Sequence, residues 1–185
     1  MLYNYKEVIK KYKNDYKLNL ALNDNEIFKV EKGIYSDSKN PNLLGVYSKR
    51  YPNSIITMDS AFYFYNFTDV IPTKIHLATA SSSHTIENSK INQIFVKDSI
   101  FGEGKVSAFL ENEKQIINIY DKERLLIELI RKKSQIPLDY YKEIIRNYRE
   151  ESHMLNVRKL EKYASFYHNS NKLLEILQME VFWWI

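Results

Sequence analysis

The spacing of apolar residues changes character at Tyr120, and that change constrains the fold more than any other feature of the chain. Between residues 74 and 120, β-prone runs follow one another closely: KIHLATA (74–80), QIFVKD (93–98), a run near Val106 to Leu110, and QIINIY (115–120). Beyond Tyr120 the apolar positions recur three and four residues apart. Leu125, Leu126, Leu129 and Ile130 form one set, Tyr141, Ile144, Ile145 and Tyr148 a second, Val157, Leu160, Tyr163 and Ala164 a third, and Leu173, Leu174, Leu177 and Val181 a fourth. A period of two buries one face of a strand, whereas a period of 3.6 buries one stripe of a helix. The strand runs lie too close together for long helical crossovers, which predicts a mixed or antiparallel sheet and not a doubly wound parallel one. The expected fold class is α+β, with a helical carboxyl-terminal half packed on that sheet. Pro137 suits the start of the second helix, and Asn156 can cap the third.

Such a fold needs a core, and 44% apolar with 14% aromatic residues supplies one. At 185 residues there is room for one main core and at most a small extra module. The absence of cysteine removes disulfides, zinc-thiolate sites and thiol nucleophiles, and fits a reducing compartment. The amino-terminal MLYNYKEVIKKYKN carries no apolar run of signal-peptide length, and no stretch approaches the roughly 20 apolar residues of a membrane span. These features predict a cytoplasmic protein without a membrane partner.

Ahead of the sheet lies a candidate module of its own. Tyr5, Val8, Ile9 and Tyr12 recur at helical spacing between Asn4 and Lys13, with Lys6, Lys10 and Lys13 along another face. Asn14 and Asp15 can cap a second helix from Tyr16 to Asn23, in which Leu18 and Leu22 share a face. Two short β-prone runs, around Ile27 to Val30 and at Ile34 and Tyr35, flank Glu31, Lys32 and Gly33 and predict a hairpin. Two helices followed by a basic-tipped hairpin is the order of elements in a winged helix-turn-helix. The polar stretch from Ser36 to Asn42, with Pro41 inside it, is the expected linker, giving a winged-helix-like module at 1–37 and an α+β domain at 38–185. That second domain is expected to open with a helix from Leu43 towards Tyr51, a strand at Ile55 and Ile56, and a helix capped by Thr57.

The formal charge of +4 permits nucleic-acid contact without demanding it. The candidate DNA-binding residues are Lys13, Lys17, Asn19, Asn23, Lys29 and Lys32, which combine cations for phosphates with amides able to read adenine edges. Against them stand Glu7, Asp15, Asp24, Glu26 and Glu31, and a lysine-rich helix face is also how a helix stays solvated.

Nothing comparable points to catalysis. His76, His84, His153 and His168 are scattered, so no metal site is expected. Gly102-Glu103-Gly104 is neither a Walker A loop nor a dinucleotide fingerprint and suits a hairpin turn. No serine sits in a nucleophile elbow. Asp121, Lys122, Glu123 and Arg124 could bind magnesium as in a metal-dependent nuclease, but Asp121 at a helix start and Glu123 in its first turn also serve as cap and dipole partner. The expectation is a non-enzymatic protein with no cofactor. The closing Phe182, Trp183, Trp184 and Ile185 form an apolar tip that folds back or meets a partner, consistent with a monomer or a weak dimer.

Three stretches resemble the AbiEi-type antitoxins of bacterial toxin-antitoxin and abortive-infection systems. Glu31 to Tyr35 is similar to the wing-strand signature of that family's amino-terminal domain. Ser60-Ala61-Phe62-Tyr63, continuing to Phe67-Thr68-Asp69 and Ile71-Pro72, resembles its helix, turn and approach to the first sheet strand. Tyr120 to Arg124 with Ile127 to Arg131 is similar to its strand-to-helix junction. The resemblance implies an antitoxin that counteracts a nucleotidyltransferase-like toxin and represses its own operon by binding the promoter DNA. It does not imply a stable complex with the toxin. The chain departs from the family pattern in having one helix, not a pair, before the candidate recognition helix. The alternatives are a protein-interaction module without DNA affinity and the nuclease built on Asp121 and Glu123.

Overall fold

A computed structural model of the chain describes residues 1–111 and 114–182. Trp183, Trp184 and Ile185 of the carboxyl-terminal tip lie outside the described residues, while Phe182 is half-buried. The chain is a mixture of helices and two sheets, and it separates into two compact units, Met1–Ile55 with Ser107–Asn118, and Ile56–Val106 with Ile119–Ile185.

The first unit begins with strand β1 (Leu2–Asn4), then helices α1 (Tyr5–Tyr12) and α2 (Asp15–Asn23), strands β2 (Phe28–Glu31) and β3 (Ile34–Ser36), and helix α3 (Leu43–Arg50). Strand β1 was not expected, since its residues precede and overlap a helical apolar pattern. It forms because β3 offers a free edge: Leu2, Tyr3 and Asn4 pair antiparallel with Ser36, Tyr35 and Ile34, giving a sheet of order β1-β3-β2. Neighbouring residues on these strands face opposite sides. Tyr3 and Tyr35 join Val8, Leu18, Ala21 and Ile27 in one core beneath α1 and α2, while Leu2 and Ile34 join Val46 of α3 in a second core. Both faces of a three-stranded sheet are thus covered, which a lone hairpin could not achieve. Helix α3 groups with this unit, so the boundary expected at residue 38 lies inside the first compact body and the break in contacts comes at Ile55.

The second sheet has the order β6-β5-β4-β8-β7, built from β4 (Ile55–Ile56), β5 (Ile75–Ala80), β6 (Ile91–Val96), β7 (Lys105–Leu110) and β8 (Gln115–Tyr120). Two of its pairs are parallel, β5 with β6 and β4 with β8. Parallel neighbours usually require a helical crossover of a dozen or more residues. Here residues 81–90 make the return without a helix, and Gln93 staples them: its amide donates to Thr79 Oγ1 at 2.7 Å and to the His84 carbonyl at 3.0 Å, and its oxygen accepts from Ile86 N at 2.7 Å.

Helices α4 (Met58–Phe64), α5 (Asp98–Phe101), α6 (Lys122–Arg131), α7 (Leu138–Glu150), α8 (Val157–Ala164) and α9 (Ser170–Glu180) belong to the second unit, as do β5 and β6, whereas most of β7 and β8 falls in the first. Gly102–Gly104 turns from α5 into β7 and is not the tip of a hairpin. Helix α6 departs most from its sequence pattern. Leu125, Leu126, Leu129 and Ile130 are inward as their spacing requires, but Ile127 is equally buried, and so are Glu123, Arg124 and Glu128. The helix is enclosed on all sides, and each of its fully buried Leu and Ile side chains contributes roughly 1.5–3 kcal/mol. In α7 the expected stripe is inward, in α9 Leu173 and Leu177 are inward while Leu174 is half-buried, and Val157 at the start of α8 is exposed. The segment after α4 is fastened to α7: Phe67 stacks on Tyr148 with ring centroids 4.0 Å apart, and Asn147 donates to the Phe67 carbonyl at 2.8 Å. Among the described residues no helix is long and apolar enough to cross a membrane.

Candidate functional site

The amino-terminal unit presents a helix pair joined by Lys13 and Asn14. Lys13 takes a left-handed φ of 72° and its N–H bonds to the Ile9 carbonyl at 2.7 Å, closing α1. Asn14 then starts α2 with its side chain accepting from Lys17 N at 2.9 Å. An asparagine cap contributes about 1 kcal/mol and sets where the second helix begins. Leu18 and Ala21 anchor α2 against Val8, which commits the opposite side to solvent.

That outer side carries Tyr16, Asn19, Leu20 and Asn23, spaced as one stripe, with Lys17 on its flank. All six residues singled out for DNA contact, Lys13, Lys17, Asn19, Asn23, Lys29 and Lys32, are exposed. Asn19 and Asn23 are brought onto one face of α2. Lys29 lies on β2, and Lys32 at the hairpin turn beside Gly33, whose φ of 76° the tight turn requires. None of the four lysines forms an ion pair among the described residues.

Several carboxylates that would dilute the patch are otherwise engaged. Glu7 pairs with Lys49 at 2.7 Å, Asp15 accepts the Tyr5 hydroxyl at 2.8 Å, and Glu31 accepts Tyr47 OH at 3.2 Å and Lys32 N at 2.9 Å. Asp24 and Glu26 remain exposed just beyond the end of α2. Residues 1–55 hold 10 basic against 6 acidic residues, an excess of four that equals the formal +4 of the whole chain. Tyr16 and Leu20 were not singled out by sequence reasoning, although their spacing with Asn19 and Asn23 carried the signal. Tyr16 is 72% exposed and Leu20 44%.

The residues of the nuclease alternative sit in the second unit. Asp121 caps α6, its Oδ1 accepting from Arg124 N at 2.8 Å, and its Oδ2 accepts both Lys159 Nζ and the Tyr163 hydroxyl at 2.9 Å. Glu123 accepts Asn156 N at 2.9 Å, tying the start of α8 to the start of α6. Both carboxylates therefore hold two helices together. Among the described residues no group of three or more His, Asp or Glu could hold a metal ion.

Behind this junction a second network runs along α6. Arg124 is wholly buried and meets Glu128 at 3.1 Å, while Arg131 grips the other Glu128 oxygen at 2.7 and 3.0 Å. The Tyr167 hydroxyl donates to Glu128 as well. Burial alone would raise the Glu128 pKa, but Arg131 and then Arg124 outweigh it and hold the carboxyl below its usual range. The rings of Tyr120, Tyr163, Phe166 and Tyr167 surround the Arg124 guanidinium at 5.3–6.0 Å.

No protein-family model matches the chain, and no curated protein matches it.

Proposed function

We propose that the chain is an AbiEi-type antitoxin, acting in the cytoplasm, whose first unit binds the promoter of its own operon and whose second unit counteracts a nucleotidyltransferase-like toxin. The reading is of a winged helix-turn-helix: α2 enters the major groove, and the β2–β3 hairpin flanks the phosphate backbone as the wing. The observation that carries it is the order β1-α1-α2-β2-β3 with a β1-β3-β2 sheet, which braces α2 while leaving Asn19, Asn23 and Lys17 in solvent. The concentration of net positive charge in residues 1–55 supports the same reading. Helix α3 covers the far face of the sheet through Val46.

Titration of the protein against a fragment of its own promoter, over a range of salt, tests the DNA half. Affinity should fall steeply as salt rises, because each phosphate contact releases counterions. Weak binding that is flat in salt would refute it. Coexpression with the adjacent nucleotidyltransferase-like reading frame tests the antitoxin half, and growth that is not rescued would refute that.

A second reading is a protein-interaction module, favoured by the exposed Tyr16 and Leu20 on the face of α2. It predicts that substituting Tyr16 and Leu20 leaves any DNA affinity untouched while abolishing capture of a protein partner.

A further inference from the structure

The second unit contains a cavity of about 210 Å³ that the antitoxin reading does not use. It lies at the carboxyl ends of three strands: Thr57 and Met58 follow β4, Lys97 follows β6, and Tyr120 ends β8. Crevices at the carboxyl ends of strands are where sheets with parallel strands most often take small ligands, and β4 and β8 are parallel. Its lining holds apolar side chains, Met58, Phe95 and Ile100, and a cationic wall of Lys97, Arg131 and Lys132.

The charges on that cationic wall do not balance internally. Glu128 is the one carboxylate lining the cavity, and it is already taken by Arg124, Arg131 and the Tyr167 hydroxyl. Lys97 and Lys132 form no hydrogen bond or salt bridge through their ammonium groups among the described residues. Lys132 is half-buried, and its burial pushes the ammonium pKa down. Glu128 and Asp59 act on this ammonium but do not outweigh its burial, so a further anion in the cavity would stabilise it. Thr57 adds a free donor, because it stands at the N-cap of α4 without making the side-chain capping bond that its position offers. Met58 beside it holds a left-handed φ of 45°, a conformation that costs a β-region or helical residue about 1–3 kcal/mol.

We propose that this cavity binds a small phosphomonoester, with the phosphate held by Lys97, Lys132 and the Thr57 hydroxyl and its body against Met58, Phe95 and Ile100. Two unpaired ammonium groups match the two charges of a phosphomonoester, and a hydroxyl donor suits one of its oxygens. The volume lies below the roughly 300–1,000 Å³ of pockets that enclose drug-sized ligands, which fits a phosphorylated sugar and excludes a dinucleotide body. The same chemistry is found on free sugar phosphates and on the 5′-phosphate end of a nucleic-acid strand. The site shares no residue with the α2 surface, so it stands whether or not the chain binds its promoter.

Isothermal calorimetry on the full chain, with ribose 5-phosphate, inorganic phosphate and a short oligonucleotide bearing either a 5′-phosphate or a 5′-hydroxyl, tests the proposal. Ribose 5-phosphate should bind, and a 5′-phosphorylated oligonucleotide that binds more tightly than its 5′-hydroxyl form names a strand end as the source. Lys97→Gln and Lys132→Gln should each weaken binding about 10-fold, the loss of one charge-assisted contact. Lys97 is exposed, so its substitution reads binding without risk to folding. The proposal is overturned if neither ribose 5-phosphate nor inorganic phosphate binds at millimolar concentration, or if both glutamine variants bind ribose 5-phosphate as tightly as the parent.

Discussion

Arg124 and Glu128 stand one turn apart on α6 and meet at 3.1 Å with the guanidinium wholly buried. Glu128 satisfies one end of that guanidinium, while its Nε and Nη1 have aromatic faces around them and no hydrogen-bond partner among the described residues. Breaking such a pair from one side leaves a charge stranded in the core, at a cost of about 3–5 kcal/mol. Glu128→Leu should therefore lower the unfolding free energy by that amount in urea titrations. The double variant Arg124→Met with Glu128→Leu should recover most of the loss, because neither charge is then left behind. Equal destabilisation of the single and double variants would show that packing, not charge, dominates here.

Gly104 lies beneath the same arginine. A Cβ at this position would come within 2.7 Å of Arg124 Cβ, and the residue also has a φ of 80°. Gly104→Ala should cost more than about 1 kcal/mol from backbone strain alone, with the clash added. At Gly102 a Cβ would meet nothing within 4 Å. Gly102→Ala should be neutral or stabilise by about 0.4–1 kcal/mol through the unfolded chain. Thermal unfolding of the two variants side by side checks the contrast.

Stability should fall in two stages on acidification. Burial pushes the His76 imidazole below its ordinary 6.5, only partly opposed by Asp59 at 3.6 Å. The unfolded chain therefore takes up this proton first, and stability declines as pH drops from 6.5 towards the lower folded value. Glu128, held below the usual carboxylate range, contributes stability that is present above its unfolded pKa and is lost as pH falls through the folded one. Urea midpoints measured against pH should show both declines. His76→Gln should remove the first, and Glu128→Gln should shrink the second.

The face of α2 predicts two separable classes of DNA variant. Lys17→Ala and Lys32→Ala should weaken binding to all sequences alike and reduce the salt slope by about 1 each. Asn19→Ala and Asn23→Ala should leave the slope unchanged and relax discrimination by about 1–3 kcal/mol at an adenine that each reads. Binding measured on the promoter and on a scrambled duplex separates the two, and a uniform loss from the asparagine variants would remove them from base readout.

The capping asparagine Asn14, the hairpin about Lys32 and Gly33, and the stripes of α7 and α9 were legible from residue spacing. Each depends on neighbours within a turn or two. Asp121 as a helix cap was legible for the same reason. The partners it would find in Lys159 and Tyr163 were not, because they arrive from another helix. Val157 has the spacing of a core residue and is exposed, since the cap at Asn156 leaves the first residue of α8 outside its packing surface.

The sequence by itself determined which segments could be helix and which strand, because periodicity and capping are local properties of the chain. Tertiary structure alone decided that Leu2–Asn4 is a strand, since three residues gain ladder bonds only when β3 is there to supply them. It also decided that α6 is enclosed on every side, burying Arg124 with Glu128, and that β4 and β8 run parallel to end at one cavity. These outcomes depend on which surface comes to lie against which, and spacing along a single segment carries no record of the segment that will cover it.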